Sequence, residues 1–247
     1  ADAVAVAHDA GDAAEACEAS WPAPDPSGAE HRGGGGMITN LVFMGVGEPL
    51  ANLASVGPAL KALTAPWGFG MSPRRITVST VGLIAGIDKL IELGIPVNLA
   101  LSLHAADDAT RRRIILTRPS AASHLEASPD AEVEAILDAG DRYSTATGRE
   151  VTLEFILLPG VNDHQAEALA ALIRRHPRGR YNVNVIPYNR VAEFSWREPS
   201  GEEVQRFLRQ LRGRGVNAHA RKKMGYKVNG ACGQLRLTKV SAAGATS

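Results

Sequence analysis

The segment NGACGQLRL, residues 229–237, holds the side chain best suited to nucleophilic chemistry. Cys232 lies there between Ala231 and Gly233, and the only other cysteine among the 247 residues is Cys17. A cysteine in a protein core usually lies in an apolar strand or helix, and a disulfide needs a partner. Cys232 is therefore a candidate for chemistry at its sulfur, with a small buried thiol as the alternative.

The region around Cys232 is strongly basic, although the net charge of the chain is only +1. Residues 206–239 contain no acidic residue and these ten cations: Arg206, Arg209, Arg212, Arg214, Arg221, Lys222, Lys223, Lys227, Arg236 and Lys239. Such a tail is a candidate surface for binding phosphate groups. A solvated helix face is the alternative.

Polar residues follow the apolar runs that we predict to be strands. The glycine-rich turn MGVGEPLAN ends the first run at residues 44–52, and STVG, SLHA and IPYN end later runs. The polar residues at these ends are Glu48, Ser79, Thr80, Ser102, His104 and Asn189. Small polar groups with one carboxylate favour a cradle for a zwitterionic cofactor over an acid–base site. An ordinary turn and a structural histidine are the alternatives.

Strand and helix patterns alternate from residue 38 onward. We predict strands at 38–45, 74–82, 97–105, 150–160, 181–189 and 216–223, and helices at 52–66, 84–94, 107–113, 130–148, 163–176 and 200–215. Apolar strands separated by helices indicate an α/β protein with a parallel sheet, either doubly wound or a partial barrel. Ser200, with Glu203 three residues later, predicts a capped start for the last helix.

The composition is typical of a soluble globular protein. Hydrophobic residues make up 45% of the chain and charged residues 21%. The sequence has no apolar run of about 18 residues that would predict a transmembrane helix, and no signal-peptide pattern at its start. Two cysteines do not form a disulfide framework. We therefore expect a cytoplasmic protein that does not bind membranes.

The motifs GEPL, ITVST, SLHA, IPYN and ACGQL occur in this order and at these spacings in one family. From about Met37 to about Val240 the chain resembles the radical S-adenosylmethionine (SAM) methyltransferases of the RlmN type, which methylate C2 of an adenine in 23S ribosomal RNA and in tRNA. The resemblance implies a partial (β/α) barrel behind an accessory domain, and SAM and a [4Fe–4S] cluster as cofactors. It also implies a monomer that receives electrons from flavodoxin or ferredoxin.

The resemblance gives Cys232 the role of methyl carrier. In this family one SAM methylates the cysteine sulfur, and a second SAM is cleaved to a radical that takes a hydrogen from the S-methyl group. The carbon radical adds to C2 of adenine, and a second cysteine resolves the adduct. The cations that would favour the thiolate and attract RNA phosphate are Arg221, Lys222, Lys223 and Lys227.

The same resemblance assigns the residues that bind SAM. We expect Glu48 near the ammonium group of SAM. The full expected set is Gly47, Glu48, Ser79, Ser102, Leu103, His104 and Asn189.

The sequence departs from the family pattern upstream of GEPL. The C-x3-C-x2-C motif that holds the cluster is absent, and Cys17 alone lies there, so no metal ligand is assigned. The resemblance also leaves the first strand, the accessory domain, the resolving cysteine and the proposed general-base glutamate without counterparts. The stretch TRPSAASHLEASPD at 117–130 replaces the usual turn. We interpret 1–36 as a disordered acidic segment with a linker, 37–240 as a truncated barrel with a basic tail, and 241–247 as a disordered end.

Two alternatives accompany the assignment to adenine-C2 methylation. In the first alternative, the chain is a catalytically inactive SAM- or RNA-binding remnant of the family. In the second, it is the related methyltransferase that acts on C8 of adenine. The C2 and C8 enzymes share the motifs that the chain contains.

Overall fold

A parallel six-stranded sheet organises the chain, and the computed structural model describes residues 4–5, 38–45, 47–116, 133–190 and 194–221. The strands, in chain order, are β1 (Val4–Ala5), β2 (Leu41–Phe43), β3 (Ile76–Thr80), β4 (Asn98–Ser102), β5 (Ile115–Leu116), β6 (Val151–Leu157), β7 (Tyr181–Pro187) and β8 (Asn217–Ala220). The main sheet has the order β2-β3-β4-β6-β7-β8, and each neighbouring pair is parallel. Strands β1 and β5 form a separate parallel pair that the sequence patterns did not predict.

Helices connect the strands of the main sheet. They are α1 (Leu53–Thr64), α2 (Ile84–Glu92), α3 (Asp108–Ile114), α4 (Val133–Thr147), α5 (Ala166–Arg175) and α6 (Gly201–Arg212), with short 3₁₀ helices at Pro49–Asn52 and Pro73–Arg75. The predicted alternation of strands and helices and the α/β class are confirmed, and the arrangement is that of a partial (β/α) barrel. The substituted stretch at 117–130 lies outside the described residues.

The two faces of the main sheet differ in polarity because side chains alternate along a strand. One face carries apolar residues such as Val78, Leu101 and Val183, which are fully buried. The register places small polar side chains on the other face, which we call the inner face: Thr77, Ser79, Asn98, Ser102, Thr152, Glu154, Asn182, Asn184, Asn217 and His219. The sheet is thus apolar on one side only, whereas the sequence patterns predicted uniformly apolar strands.

The hydrophobic core lies between the apolar face of the sheet and the helices. Leu60 of α1, Ile87 of α2 and Leu137 of α4 are fully buried in the same cluster as the strand residues. Phe155 of β6 stacks on Phe207 of α6, with ring centroids 5.2 Å apart. Full burial of each such side chain contributes about 1.5–3 kcal/mol. This packing holds the strands in register and leaves the inner face for polar groups.

Helix α6 begins with the capping box that the sequence predicted. The Ser200 hydroxyl accepts from the backbone N–H of Glu203 at 3.2 Å, and the Glu203 carboxylate accepts from the backbone N–H of Ser200 at 2.8 Å. The side chain of Arg197 donates to the same carboxylate at 2.9 Å. Hydrogen bonds from Arg197 and then from Ser200 lower the pKa of Glu203 to about 2.

Helix α4 approaches strand β7 closely at a glycine. A Cβ atom on Gly140 would lie 2.6 Å from the Tyr181 hydroxyl oxygen. That hydroxyl donates to the backbone carbonyl of Leu137 at 2.7 Å and lies 2.9 Å from Asp141 Oδ1. A glycine is therefore required at this position by close packing rather than by backbone conformation.

Gly140→Ala is expected to destabilise the fold despite the helix-favouring nature of alanine. Overpacking lowers the free energy of unfolding by about 1–3 kcal/mol, whereas replacing a glycine within a helix by alanine raises it by about 1 kcal/mol. Urea unfolding of G140A, Y181F and the double variant measures the coupling. We expect G140A to cost less stability in the Y181F background, where the clashing oxygen is gone. An equal cost in both backgrounds would contradict this account.

The charge of Glu203 is expected to make stability depend on pH in the acid range. Its folded pKa of about 2 lies below the ordinary value of 4.5, so the stabilisation is present above 4.5 and is lost as pH falls toward 2. Glu203→Gln should therefore lower the melting temperature at neutral pH, and the difference from wild type should shrink below pH 4.5. Glu202→Gln, an exposed change in the same turn, is the control. Equal effects of both changes would refute a special role for Glu203.

Candidate functional site

The structure brings the described members of the expected cofactor set to one edge of the main sheet. Gly47 and Glu48 follow β2, Ser79 lies in β3, Ser102 ends β4, and Asn189 follows β7. The carboxyl ends of parallel strands meet at the same edge, so residues from distant parts of the sequence converge there. Cys232, Lys222, Lys223 and Lys227 lie outside the described residues.

Glu48 joins the turn after β2 to the end of β3. Its Oε1 accepts from the backbone N–H of Leu50 at 3.0 Å, and its Oε2 accepts from the backbone N–H of Val81 at 2.8 Å. The residue is only 8% exposed. Backbone N–H groups from two separate segments therefore fix the Glu48 carboxylate at the edge of the sheet. Gly47 precedes it with a φ of +88°, which glycine adopts without strain.

Ser79 and Thr80 point to opposite faces of β3. The Thr80 hydroxyl accepts from the backbone N–H groups of Gly82 at 3.1 Å and Leu83 at 3.3 Å, and Thr80 is 2% exposed. It therefore stabilises the start of α2. Ser79 lies on the inner face and is half-buried. Of the two predicted polar residues, only Ser79 lies on the inner face.

Leu103 and His104 leave the sheet immediately after β4. The Leu103 side chain is fully buried in the core, so a ligand can contact this residue only through its backbone. His104 has a φ of +61°, in the left-handed region that is unfavourable for a non-glycine residue. The backbone N–H groups of both residues donate to the carbonyl of Glu154, at 3.2 and 3.1 Å. Strand β6 therefore holds the SLHA segment in place.

The His104 ring is neutral and has a defined tautomer. Its Nδ1 accepts from the backbone N–H of Ile156 at 3.2 Å, so the proton lies on Nε2. Burial, followed by the charge of Arg111, lowers the His104 pKa to about 3. The ring therefore remains uncharged at physiological pH and can donate one hydrogen bond through Nε2.

Asn162, which the sequence reasoning missed, connects the SLHA segment to the loop after β6. Its Nδ2 donates to the carbonyls of His104 at 2.9 Å and Ile156 at 2.6 Å, and its Oδ1 accepts from the backbone N–H of Leu158 at 2.8 Å. The residue is fully buried. An asparagine two residues after Pro-Gly was a turn signal, but no sequence signal identified its distant partner.

Glu154 of β6 is a second buried carboxyl group that the sequence reasoning missed. The register places it between Ser102 of β4 and Asn184 of β7 on the inner face. The Asn184 amide Nδ2 lies 2.8 Å from one carboxyl oxygen of Glu154 and 3.1 Å from the other. Burial raises the pKa of Glu154, and the Asn184 hydrogen bond and the Arg221 charge oppose this effect. The alternation of polar residues in EVTLEF and YNVNV was the available signal.

The described residues contain no group of three or more His, Cys, Asp or Glu side chains that could hold a metal ion. No helix in the described part of the chain is long and apolar enough to cross a membrane. The arrangement at the carboxyl edge is instead a set of hydrogen-bonding groups: amides, hydroxyls, two carboxyl groups and a neutral imidazole. Such a set suits an organic ligand with several polar groups.

No protein-family model matches the chain. Among curated proteins, it is 45% identical over 205 residues to the "probable dual-specificity RNA methyltransferase RlmN" of Rhodopirellula baltica, covering 82% of this chain and 52% of the relative. It is 42% identical over 201 residues to the "ribosomal RNA large subunit methyltransferase N" of Nitrosopumilus maritimus, covering 81% and 53%. The chain thus spans about half the length of the curated relatives it matches.

Solved structures agree with the sequence comparison. A radical SAM methyltransferase from Sphaerobacter thermophilus superimposes with a TM-score of 0.68 and 38% identity, covering 81% of this chain and 55% of that chain. A domain of a pyruvate-formate lyase-activating enzyme from Bacteroides vulgatus has a TM-score of 0.53 at 19% identity and supports the fold alone. The chain therefore belongs to the RlmN-type family of radical SAM methyltransferases.

Proposed function

We propose that this chain provides the SAM-binding barrel for methylation of C2 of an adenine in 23S ribosomal RNA and in tRNA. The observation that carries the proposal is the convergence of Gly47, Glu48, Ser79 and Ser102 at one sheet edge beside a polar inner face. The names of the relatives, which describe RNA methyltransferases, support the same class of reaction.

The residues present fit SAM. Its polar groups need hydrogen-bonding partners, and the structure holds a buried acceptor without one, Asn184 Oδ1. Bound SAM supplies an activated methyl group on a cationic sulfur. Glu48 would hold the ammonium group, and Ser79, Ser102 and Asn189 would donate or accept hydrogen bonds along the molecule. The uncharged ring of His104 avoids repulsion of the sulfonium charge.

The residues present do not fit a [4Fe–4S] cluster. Such a cluster is usually held by cysteine thiolates, and the two cysteines of this sequence cannot supply three. We therefore assign no step of the reaction to a cluster held by these 247 residues.

Cys232 and the basic tail carry the RNA-directed part of the proposal. In the ACGQL motif Cys232 would carry the methyl group as S-methylcysteine, with RNA phosphate bound by Arg221, Lys222, Lys223 and Lys227. Of these residues the structure describes Arg221, which is exposed directly after β8, and its backbone N–H donates to the carbonyl of Val185 at 2.8 Å. The proposal includes a cytoplasmic location and flavodoxin or ferredoxin as electron donor.

The presence of only two cysteines favours a second candidate function, which is binding without catalysis. These 247 residues would bind SAM or RNA without transferring a methyl group by themselves, because they lack the thiolates for the cluster. Binding of SAM is common to both candidates, and only methyl transfer separates them.

Ser102→Ala is expected to weaken SAM binding without unfolding the chain. Loss of one hydrogen bond of about 0.5–1.5 kcal/mol lowers affinity roughly 2- to 10-fold. Isothermal titration calorimetry of the wild type and the variant measures this effect. Ser55→Ala, the same change at an exposed position in α1, is the control and should leave affinity unchanged. Absence of saturable SAM binding by the wild type would refute the proposed function.

Anaerobic reconstitution with iron and sulfide is expected to load less than one [4Fe–4S] cluster per chain, because the thiolates are too few. Iron and acid-labile sulfide analysis measures the loading, with a Cys17→Ala, Cys232→Ala variant as the baseline for adventitious iron. A stoichiometric four-iron cluster in the wild type would contradict the expectation.

A further inference from the structure

Among the neighbouring strands β3, β4, β6 and β7, only β6 contributes no residue to the expected SAM set, either within the strand or directly after it. Ser79 comes from β3, Ser102 from β4, and Asn189 follows β7. Strand β6 lies between β4 and β7 and directs Glu154 to the inner face, in register with Ser102. A ligand that extends from β4 toward β7 along the sheet therefore passes Glu154.

Glu154 is buried with fewer hydrogen-bond donors than a structural carboxylate usually has. It is 6% exposed, and its two oxygens share one neutral donor, the Asn184 amide. Within the described residues no cation forms an ion pair with it, and Arg221 acts on it only through its charge. Burial of a carboxyl group with so little compensation is unfavourable for folding. Such a cost is typical of a group retained for binding.

The orientation of Asn184 is determined by Glu154. Its Nδ2 faces the carboxyl group, so its Oδ1 is left as an acceptor, and this atom is buried without a hydrogen-bond partner. A buried acceptor of this kind is usually completed by an ordered water or a bound ligand, so Asn184 Oδ1 is available to a ligand donor. Glu154 and Asn184, which we call the acceptor pair, thus present neighbouring acceptors to a ligand with hydroxyl donors.

We propose that the acceptor pair binds the ribose hydroxyls of SAM. This inference rests on the proposed function. An acidic side chain accepting from ribose hydroxyls is an established solution in nucleotide sites on parallel sheets. The ammonium group of SAM is expected at Glu48, next to β2. Three strand spacings of about 4.8 Å separate β2 from β6, a span suited to the opposite part of an extended ligand.

The test combines variants of the pair with analogues of the ligand. Calorimetry measures the affinity of the full chain for SAM and for 2′-deoxy- and 3′-deoxy-SAM, in the absence of RNA. We expect the wild type to bind at least one deoxy analogue about tenfold more weakly than SAM, since one hydrogen bond to a charged acceptor is lost. Glu154→Gln and Asn184→Ala should each weaken the binding of SAM about tenfold. For the deoxy analogue that the wild type binds weakly, each variant should differ from the wild type by less than about twofold, because the hydrogen bond is already missing.

Gln205→Ala is the control, because Gln205 is exposed on α6, a helix that packs against the apolar face of the sheet, opposite the pair. Its SAM affinity should equal that of the wild type. Thermal melts establish that each variant is folded, and the wild-type analogue series tests the proposal even where a variant does not fold.

The outcomes separate the two proposals. If the wild type does not bind SAM, the proposed function fails together with this inference. If the wild type binds SAM and both deoxy analogues equally, or if the variants lose equal affinity for all three ligands, only the inference fails. If the variants bind SAM normally but lose affinity for an adenosine-containing RNA oligonucleotide, the pair binds RNA ribose and the assignment to SAM is wrong.

Discussion

The site depends on one constraint: helices pack against one face of a parallel sheet, so the apolar side chains must lie on that face and polar side chains can occupy the other. Side chains alternate between the faces, so every second residue must be apolar to build the core. Leu153 and Phe155 satisfy this demand in β6, and Glu154 between them is then directed to the inner face. The apolar core therefore decides which residues are available for binding, without any of its members contacting a ligand.

The seam between β4 and β6 holds the most constrained part of the site. His104 adopts a left-handed backbone conformation with a φ of +61°, and its ring, N–H and carbonyl are bonded by Ile156, Glu154 and Asn162 respectively. A non-glycine residue in this conformation costs of order 1–3 kcal/mol. Three hydrogen bonds with one neighbouring segment, residues 154–162, offset that cost. They hold the neutral His104 ring, in a known tautomer, at the carboxyl edge of the sheet.

Three unfavourable local features lie close together on the inner side of the sheet. The strained backbone of His104 follows β4, and the buried carboxyl group of Glu154 and the unpaired acceptor of Asn184 lie on the next two strands, β6 and β7. Each reduces stability. Binding sites commonly retain such features because the ligand, rather than the fold, provides the missing partners. These three features support the ligand site that we propose on the inner face.

The elements could be predicted from the sequence because their signals are local. Apolar periodicity, Gly and Pro at the ends, and the Ser200 capping box each involve residues within one or two turns of each other, and the six predicted strands and six predicted helices are present. The carboxyl-edge location of Glu48 and Ser102 followed from the rule for parallel sheets. Strand ends were predicted too long because the apolar run continues through Leu103 after the sheet has ended at Ser102.

Tertiary structure alone decided which polar groups meet. Glu48 contacts Val81, 33 residues away, His104 contacts Ile156, 52 residues away, and Glu154 meets Asn184, 30 residues away. Such pairs depend on strand order and register, and the packing of all the helices sets both at once. No local pattern carries that information. The sequence by itself therefore determined the elements, the edge and the family motifs, and the fold determined the partners that give each side chain its chemistry.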